Sequence, residues 1–207
     1  MHLNPVLDQL GSYPIATVQE RAQARREQGL PVVDFSIGDP IEPTPPFIAD
    51  ALRSGVPEVS QYPTAHGKQE LREAIAAYIA RRHGVEVDPA TQVIPTSGSK
   101  EAIFSTPLAF IDRDAGDVVA FPSPGYPVYE RGAMFAGARL HRVVLGGDFV
   151  LRAGDIPADV WDRAALVWTC TPHNPTGSVT SANDLADLLA AARDSGALLL
   201  SDECYAD

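Results

Sequence analysis

From residue 92 onward, short apolar runs alternate with segments whose apolar residues recur every three or four positions. The runs fall at 92–95, 118–121, 140–145, 164–168 and 197–200. A run of four to seven apolar residues bounded by turn residues is the length of a strand. The periodic segments predict helices over 100–111, 127–136 and 181–193. The last carries Leu185, Leu188, Leu189 and Ala192 on one face, with Gly196 just beyond it. Strand and helix in alternation predict an α/β domain with a mostly parallel sheet. The runs are continuous rather than alternating with polar residues, which suits a sheet covered on both faces.

The first part of the chain reads differently. A short helix is predicted within 12–28, with Ile15, Val18 and Ala22 at helical spacing, then a short strand over 32–37 ended by Gly38-Asp39-Pro40. Pro45 and Pro46 suit the first turn of a helix over 47–53 that closes near Gly55. Leu71, Ile75, Tyr78 and Ile79 mark a helix over 68–82, and Gly84 is a natural stop. This gives an arm with an extended segment over 1–45, followed by one larger domain over 46–207.

Charge narrows the partners. The 207 residues carry a formal charge of −11, which disfavours a nucleic-acid surface. Arg21, Arg25 and Arg26 are diluted by Glu20 and Glu27 and read as a solvated helix face. No apolar run approaches the ~18 residues of a membrane span, and the N-terminus has no basic-then-apolar signal. Cys170 and Cys204 form neither a CxxC nor a metal-ligand spacing. Both are expected to be small buried residues at strand ends, in a reduced, cytoplasmic protein.

Sheets of this kind bind ligands at the carboxyl ends of their strands. Four polar or aromatic clusters follow predicted strands directly: 96–100, 123–126, 169–177 and 202–205. In Thr96-Ser97-Gly98-Ser99-Lys100, Gly98 permits close backbone approach and the next amides open a helix, an arrangement that binds phosphate. An ordinary strand–helix loop with Ser99 as its cap reads the same residues. The loop is neither a Walker sequence nor GxGxxG. Asp202 ends a buried strand, where a carboxylate is costly without a partner; a helix cap or surface ion pair is the plainer account. Asn174 sits in the strong turn sequence Asn-Pro-Thr-Gly, and Tyr126 follows Ser-Pro-Gly, where a tyrosine otherwise packs as core or rim.

In their order and separations, His173-Asn-Pro-Thr-Gly and Ser201-Asp-Glu-Cys-Tyr resemble the cofactor floor of the class I/II aminotransferases. These are the fold-type-I enzymes that use pyridoxal 5'-phosphate (PLP). Two further segments agree. Tyr62 lies in Gln-Tyr-Pro-Thr-Ala-His-Gly-Lys-Gln-Glu-Leu-Arg, similar to the family's Y-x-x-x-x-G-x-x-x-L-R, and Ile37-Gly38-Asp39-Pro40 is similar to its G-[DE]-P segment. The resemblance covers essentially the whole chain. It implies an α/β/α large domain, and PLP-dependent transamination between an amino acid and a 2-oxo acid in a cytoplasmic homodimer of amino-acid biosynthesis.

Residue by residue, the resemblance implies that Gly98, Ser99 and Lys100 hold the PLP phosphate and that Tyr126 stacks on the ring. Asn174 and Tyr205 would bond the ring hydroxyl, and Asp202 the ring nitrogen. Tyr62 would reach the phosphate of the neighbouring subunit. Ile37 and Gly38 would lie by the substrate carboxylate. The Asn174–Pro175 bond is often cis in the family. Within the family, the run from Ser12-Tyr-Pro-Ile to Gly38-Asp-Pro-Ile-Glu-Pro-Thr-Pro looks closest to succinyldiaminopimelate aminotransferases.

In the family, the lysine that forms the Schiff base with PLP follows the Asp-x-x-Tyr segment by some tens of residues. The lysines of this chain are Lys68 and Lys100, neither at that place. The remaining phosphate ligands and the arginine that clamps the substrate carboxylate are also expected beyond Asp207. So are the last sheet strands and the small domain. The 207 residues are therefore expected to be the N-terminal part of a longer enzyme, and inactive and aggregation-prone by themselves. A strand at 92–95 would have no sheet neighbours. Other readings of the same residues are a non-catalytic PLP-binding module, a PLP-dependent lyase of the same fold, and a phosphate- or nucleotide-binding α/β protein.

Overall fold

The computed structural model describes residues 2–11, 14–36, 38 and 40–206. The chain forms two compact units, Met1–Pro95 and Thr96–Asp207.

The first unit holds three α-helices among its described residues: α1 (Pro14–Glu27), α2 (Pro46–Ser54) and α3 (Gln69–His83). The proline at the start of α2 and Gly84, left-handed at φ 67° after α3, set the ends the sequence predicts. Ala22 of α1 is buried, and Arg26 pairs with Asp34 at 2.7 Å. The strand predicted over 32–37 does not form: residues 32–36 are unpaired, and Val33 and Phe35 are exposed. Ile37 lies outside the described residues. Nor is 92–95 a strand. The segment has no ladder partner, and a strand is defined by its partner's hydrogen bonds.

The second unit begins with α4 (Ser99–Phe110), then β1 (Val118–Ser123), α5 (Pro127–Ala136) and β2 (Arg139–Val144). A short α6 (Ala158–Trp161), β3 (Ala164–Cys170), α7 (Ala182–Ser195) and β4 (Leu198–Asp202) complete it. The sequence signals for these strands and for α4, α5 and α7 hold within a few residues, whereas α6 carries no periodic signal of its own. The four strands are parallel in the order β2-β1-β3-β4. Central β1 and β3 are buried almost throughout, while β2 and β4 expose more of their length at the sheet edges.

Period-two alternation sends neighbouring residues to opposite faces. Val119, Phe121, Leu166 and Trp168 pack with Ile103 of α4 and with Val128, Tyr129 and Ala133 of α5. Val118, Ala120 and Val167 pack on the other face with Val160 of α6 and Leu188 of α7. Helices thus cover both faces. No helix among the described residues is long and apolar enough to cross a membrane.

This topology fixes where chemistry can gather. The chain leaves β1 through α5 to β2 on one side, then returns to β3 on the other, so β1 and β3 flank a switch point. Cys170 lies opposite Asp202 in the parallel register. The carboxyl ends of β1, β3 and β4 therefore lie side by side, where an open parallel sheet leaves a crevice.

Candidate active site

The crevice is a cleft of about 410 Å³ lined by Ser99, Tyr126, Asn174, Asp202, Cys204 and Tyr205. That volume suits a small ligand. Each lining residue sits at or just past the end of a strand or at the start of a helix, so rigid elements aim side chains drawn from distant parts of the chain.

Gly98 caps α4 with φ 86°, a left-handed value that glycine adopts without strain, and Ser99 is the first helical residue. Ser99 is thus not the cap. Glu101 reaches back from the first turn to accept from the Ser97 N–H at 2.6 Å. The Ser99 hydroxyl meets the Cys204 thiol at 3.0 Å. Gly98 and Lys100 flank Ser99 in sequence but are not among the residues lining the cleft.

At β4 the carboxylate of Asp202 is buried. Its Oδ2 accepts from the Tyr129 hydroxyl at 2.5 Å, and its Oδ1 accepts from the Cys204 N–H at 3.2 Å. Burial, followed by the bond to Asp202, pushes the Tyr129 phenol far above its ordinary range, so it stays a protonated donor. The Tyr129 ring stacks on Trp168 at 5.0 Å and 18° and meets Tyr126 edge-on at 5.8 Å and 83°. One buried tyrosine therefore touches both Asp202 and Tyr126.

The loop after β3 is tied to the loop after β1 by His173. Its Nε2 lies 3.1 Å from the Pro124 carbonyl and its Nδ1 lies 2.8 Å from the Thr176 hydroxyl. A carbonyl only accepts, so Nε2 carries the hydrogen and Nδ1 accepts from Thr176. The Asn174–Pro175, Thr171–Pro172 and Ser123–Pro124 bonds are cis. The Asn174 N–H points to the Cys170 sulfur at 3.4 Å. Burial lowers the His173 pKa below its ordinary 6.5. The folded state thus binds that proton less readily than the unfolded state. Stability from this group is complete above about 6.5 and falls as the pH drops through the window between the unfolded and folded values. We expect urea midpoints measured across that window to fall with acidity, and less steeply in His173→Gln. Equal slopes would assign the acid sensitivity to other groups.

Cys170 is buried, as expected, but Cys204 is exposed. It lies past the end of β4 in a turn. In the first unit Tyr62 is fully exposed and Gly38 is exposed; Ile37 lies outside the described residues. The sequence reading missed Tyr129 and gave His173 no role. Tyr129 sits on an amphipathic helix like any core tyrosine, and its acid partner is 73 residues away. No group of three or more potential metal ligands occurs among the described residues.

A family model described as aminotransferase class I and II matches residues 31–207. The LL-diaminopimelate aminotransferase of Aquifex aeolicus is 38% identical over 202 residues, covering 96% of this chain and 52% of that protein. A 4-dedimethylamino-4-oxo-anhydrotetracycline transaminase of Streptomyces rimosus is 40% identical over 186 residues, covering 90% of this chain and 48% of its own length. Among solved structures, an aminotransferase from Neisseria meningitidis superposes with a TM-score of 0.87 at 32% identity, covering 98% of this chain and 53% of that one. The chain spans about half the length of the curated relatives it matches.

Proposed function

The chain belongs to the class I and II aminotransferases, which are PLP-dependent enzymes, and its second unit has the parallel α/β fold of their large domain. On that premise we propose that the cleft holds PLP. The protein carrying these residues then moves an amino group between an amino acid and a 2-oxo acid. The observation that supports this most is the cleft itself: a buried carboxylate, Asp202, and a helix-start hydroxyl, Ser99, line one cavity with two tyrosines and an asparagine.

The donor set fits the cofactor group by group. The amides opening α4, with Ser99 and the flanking Gly98 and Lys100, suit a phosphate at the positive end of a helix. Tyr126 offers a ring face. Asn174 and Tyr205 offer hydrogen bonds to a ring hydroxyl. Asp202 offers the negative charge that a protonated ring nitrogen requires. When bound, PLP supplies a cationic ring that withdraws electrons from the reacting carbon. Tyr62 is assigned to the phosphate of a neighbouring subunit, and Ile37 and Gly38 to the substrate carboxylate. The assembly we propose is a cytoplasmic homodimer acting in amino-acid biosynthesis. Its domains are a 1–45 arm at the substrate entrance and a 46–207 PLP-binding portion. LL-diaminopimelate is the first donor to test, because the Aquifex relative carries that name.

Cofactor binding tests this reading in the chain as it stands. Calorimetric titration with PLP, pyridoxal and inorganic phosphate is expected to give saturable PLP binding. The affinity should exceed that for pyridoxal by on the order of tenfold or more, the worth of a charge-assisted phosphate contact. Equal affinity for PLP and pyridoxal would remove the role given to the Ser99 loop. No PLP binding at all would remove the cofactor reading.

A further inference from the structure

We propose that Tyr129 is a positioning residue: its hydroxyl, donated to Oδ2 of Asp202, holds that side chain in the cleft as an acceptor, so that a proton shared with the cofactor ring rests on the ring nitrogen. The inference rests on the PLP reading above and concerns a residue that does not itself line the cleft.

The argument is electrostatic. A carboxylate facing a protonated pyridine in a poorly hydrated site has a neutral alternative, in which the proton moves to the carboxylate oxygen. Low local dielectric favours that neutral pair, because it avoids burying separated charges. Hydrogen bonds donated to the carboxylate reverse the preference, since they stabilise its charged form. Asp202 has one such donor on each oxygen: the Cys204 N–H at 3.2 Å on Oδ1 and the Tyr129 hydroxyl at 2.5 Å on Oδ2. The shorter bond comes from a fully buried side chain. A phenol whose ionisation is suppressed keeps its hydrogen for donation at any physiological pH.

The same tyrosine is fixed from its other sides. Stacking on Trp168 sets the plane of its ring, and its position in α5 sets its depth. The edge contact with Tyr126 joins the residue assigned to the ring face to the residue assigned to the ring nitrogen. A displacement of Tyr129 therefore moves both partners of the ring together.

Tyr129→Phe removes the donor and keeps the stacking. The test compares parent and variant with PLP labelled with 15N at the ring, and with the 1-deaza analogue, in which carbon replaces that nitrogen. In the parent the bound 15N resonance is expected in the protonated range. In Tyr129→Phe it should move toward the unprotonated range, and the PLP dissociation constant should rise on the order of tenfold, as for loss of one hydrogen bond to a charged group. The deaza dissociation constant should change less than about twofold, since that ligand has no ring proton to share. 3-Fluorotyrosine at position 129 is near-isosteric and a stronger donor, so it tests the same point without a missing group. It is expected to leave the ring nitrogen protonated and PLP affinity at or above that of the parent. An unmoved 15N resonance in Tyr129→Phe, or equal losses for PLP and the deaza analogue, would make Tyr129 a packing residue and overturn the proposal. A parent that discriminates neither PLP from pyridoxal nor PLP from the deaza analogue would instead overturn the cofactor reading itself.

Discussion

Asp202→Ala is expected to weaken PLP binding by about 100-fold or more, and Asp202→Asn by roughly tenfold. The two variants separate charge from shape. The amide of Asp202→Asn would keep an oxygen for the Tyr129 hydroxyl or the Cys204 N–H, but it has no charge to set against a protonated ring nitrogen. Loss of one charge-assisted hydrogen bond is worth about 1.5–3 kcal/mol, and tenfold in affinity is about 1.4 kcal/mol. Alanine removes more. It takes away the acceptor of a hydroxyl and of an N–H at once, and the hydroxyl belongs to fully buried Tyr129. Each donor left dry costs about 1–3 kcal/mol, so the cleft around position 202 rearranges before any ligand enters. Calorimetric titration with PLP checks that affinity rises from Asp202→Ala through Asp202→Asn to the parent. Parent-like affinity in Asp202→Asn would show that no cation faces position 202.

Gly125→Ala should lower stability by about 1–3 kcal/mol and weaken cofactor binding in the same variant. A Cβ at Gly125 would overlap the Pro122 carbonyl oxygen and lie 3.2 Å from its carbonyl carbon. Both are backbone atoms of β1, which is hydrogen-bonded to strands on either side. They have no rotamer with which to withdraw, so the turn between β1 and α5 must open instead. That turn carries Tyr126 into the cleft and presents the Pro124 carbonyl to His173. Strain at one methyl group therefore reaches the ring-facing tyrosine and the tie between the two loops. Urea unfolding of the chain, with PLP titration beside it, reads both effects. A midpoint shift equivalent to under about 0.5 kcal/mol, the range of ordinary surface changes, would show that the turn has slack.

The folding pattern of the second unit was legible because it is local. The helix over 127–136 was legible from its periodic apolar residues, and in the structure Pro127 starts it and Gly137 ends it at φ 84°. The buried runs of β1 and β3 were legible because a strand covered on both faces has no polar side to show. Ser99, Tyr126, Asn174, Asp202 and Tyr205 could be picked out because each follows a predicted strand in a polar or aromatic cluster, although the one predicted before Ser99 does not form. The sheet then brings them to one cleft.

The misses share a cause. Residues 92–95 and 32–36 have strand composition but no ladder partner, and composition carries no information about partners. Cys204 looked like a strand-end core residue, and only the turn beyond β4 exposes it. The sequence alone determined most element types and ends and the polar residues that follow the strands, since these depend on side-chain period and on backbone preferences within a turn or two. The tertiary structure decided the order β2-β1-β3-β4, the contact of Tyr129 with Asp202 across 73 residues and that of His173 with Pro124 across 49. Such contacts are chosen by packing and by the need of each buried polar group for a partner, and neither is written in local periodicity.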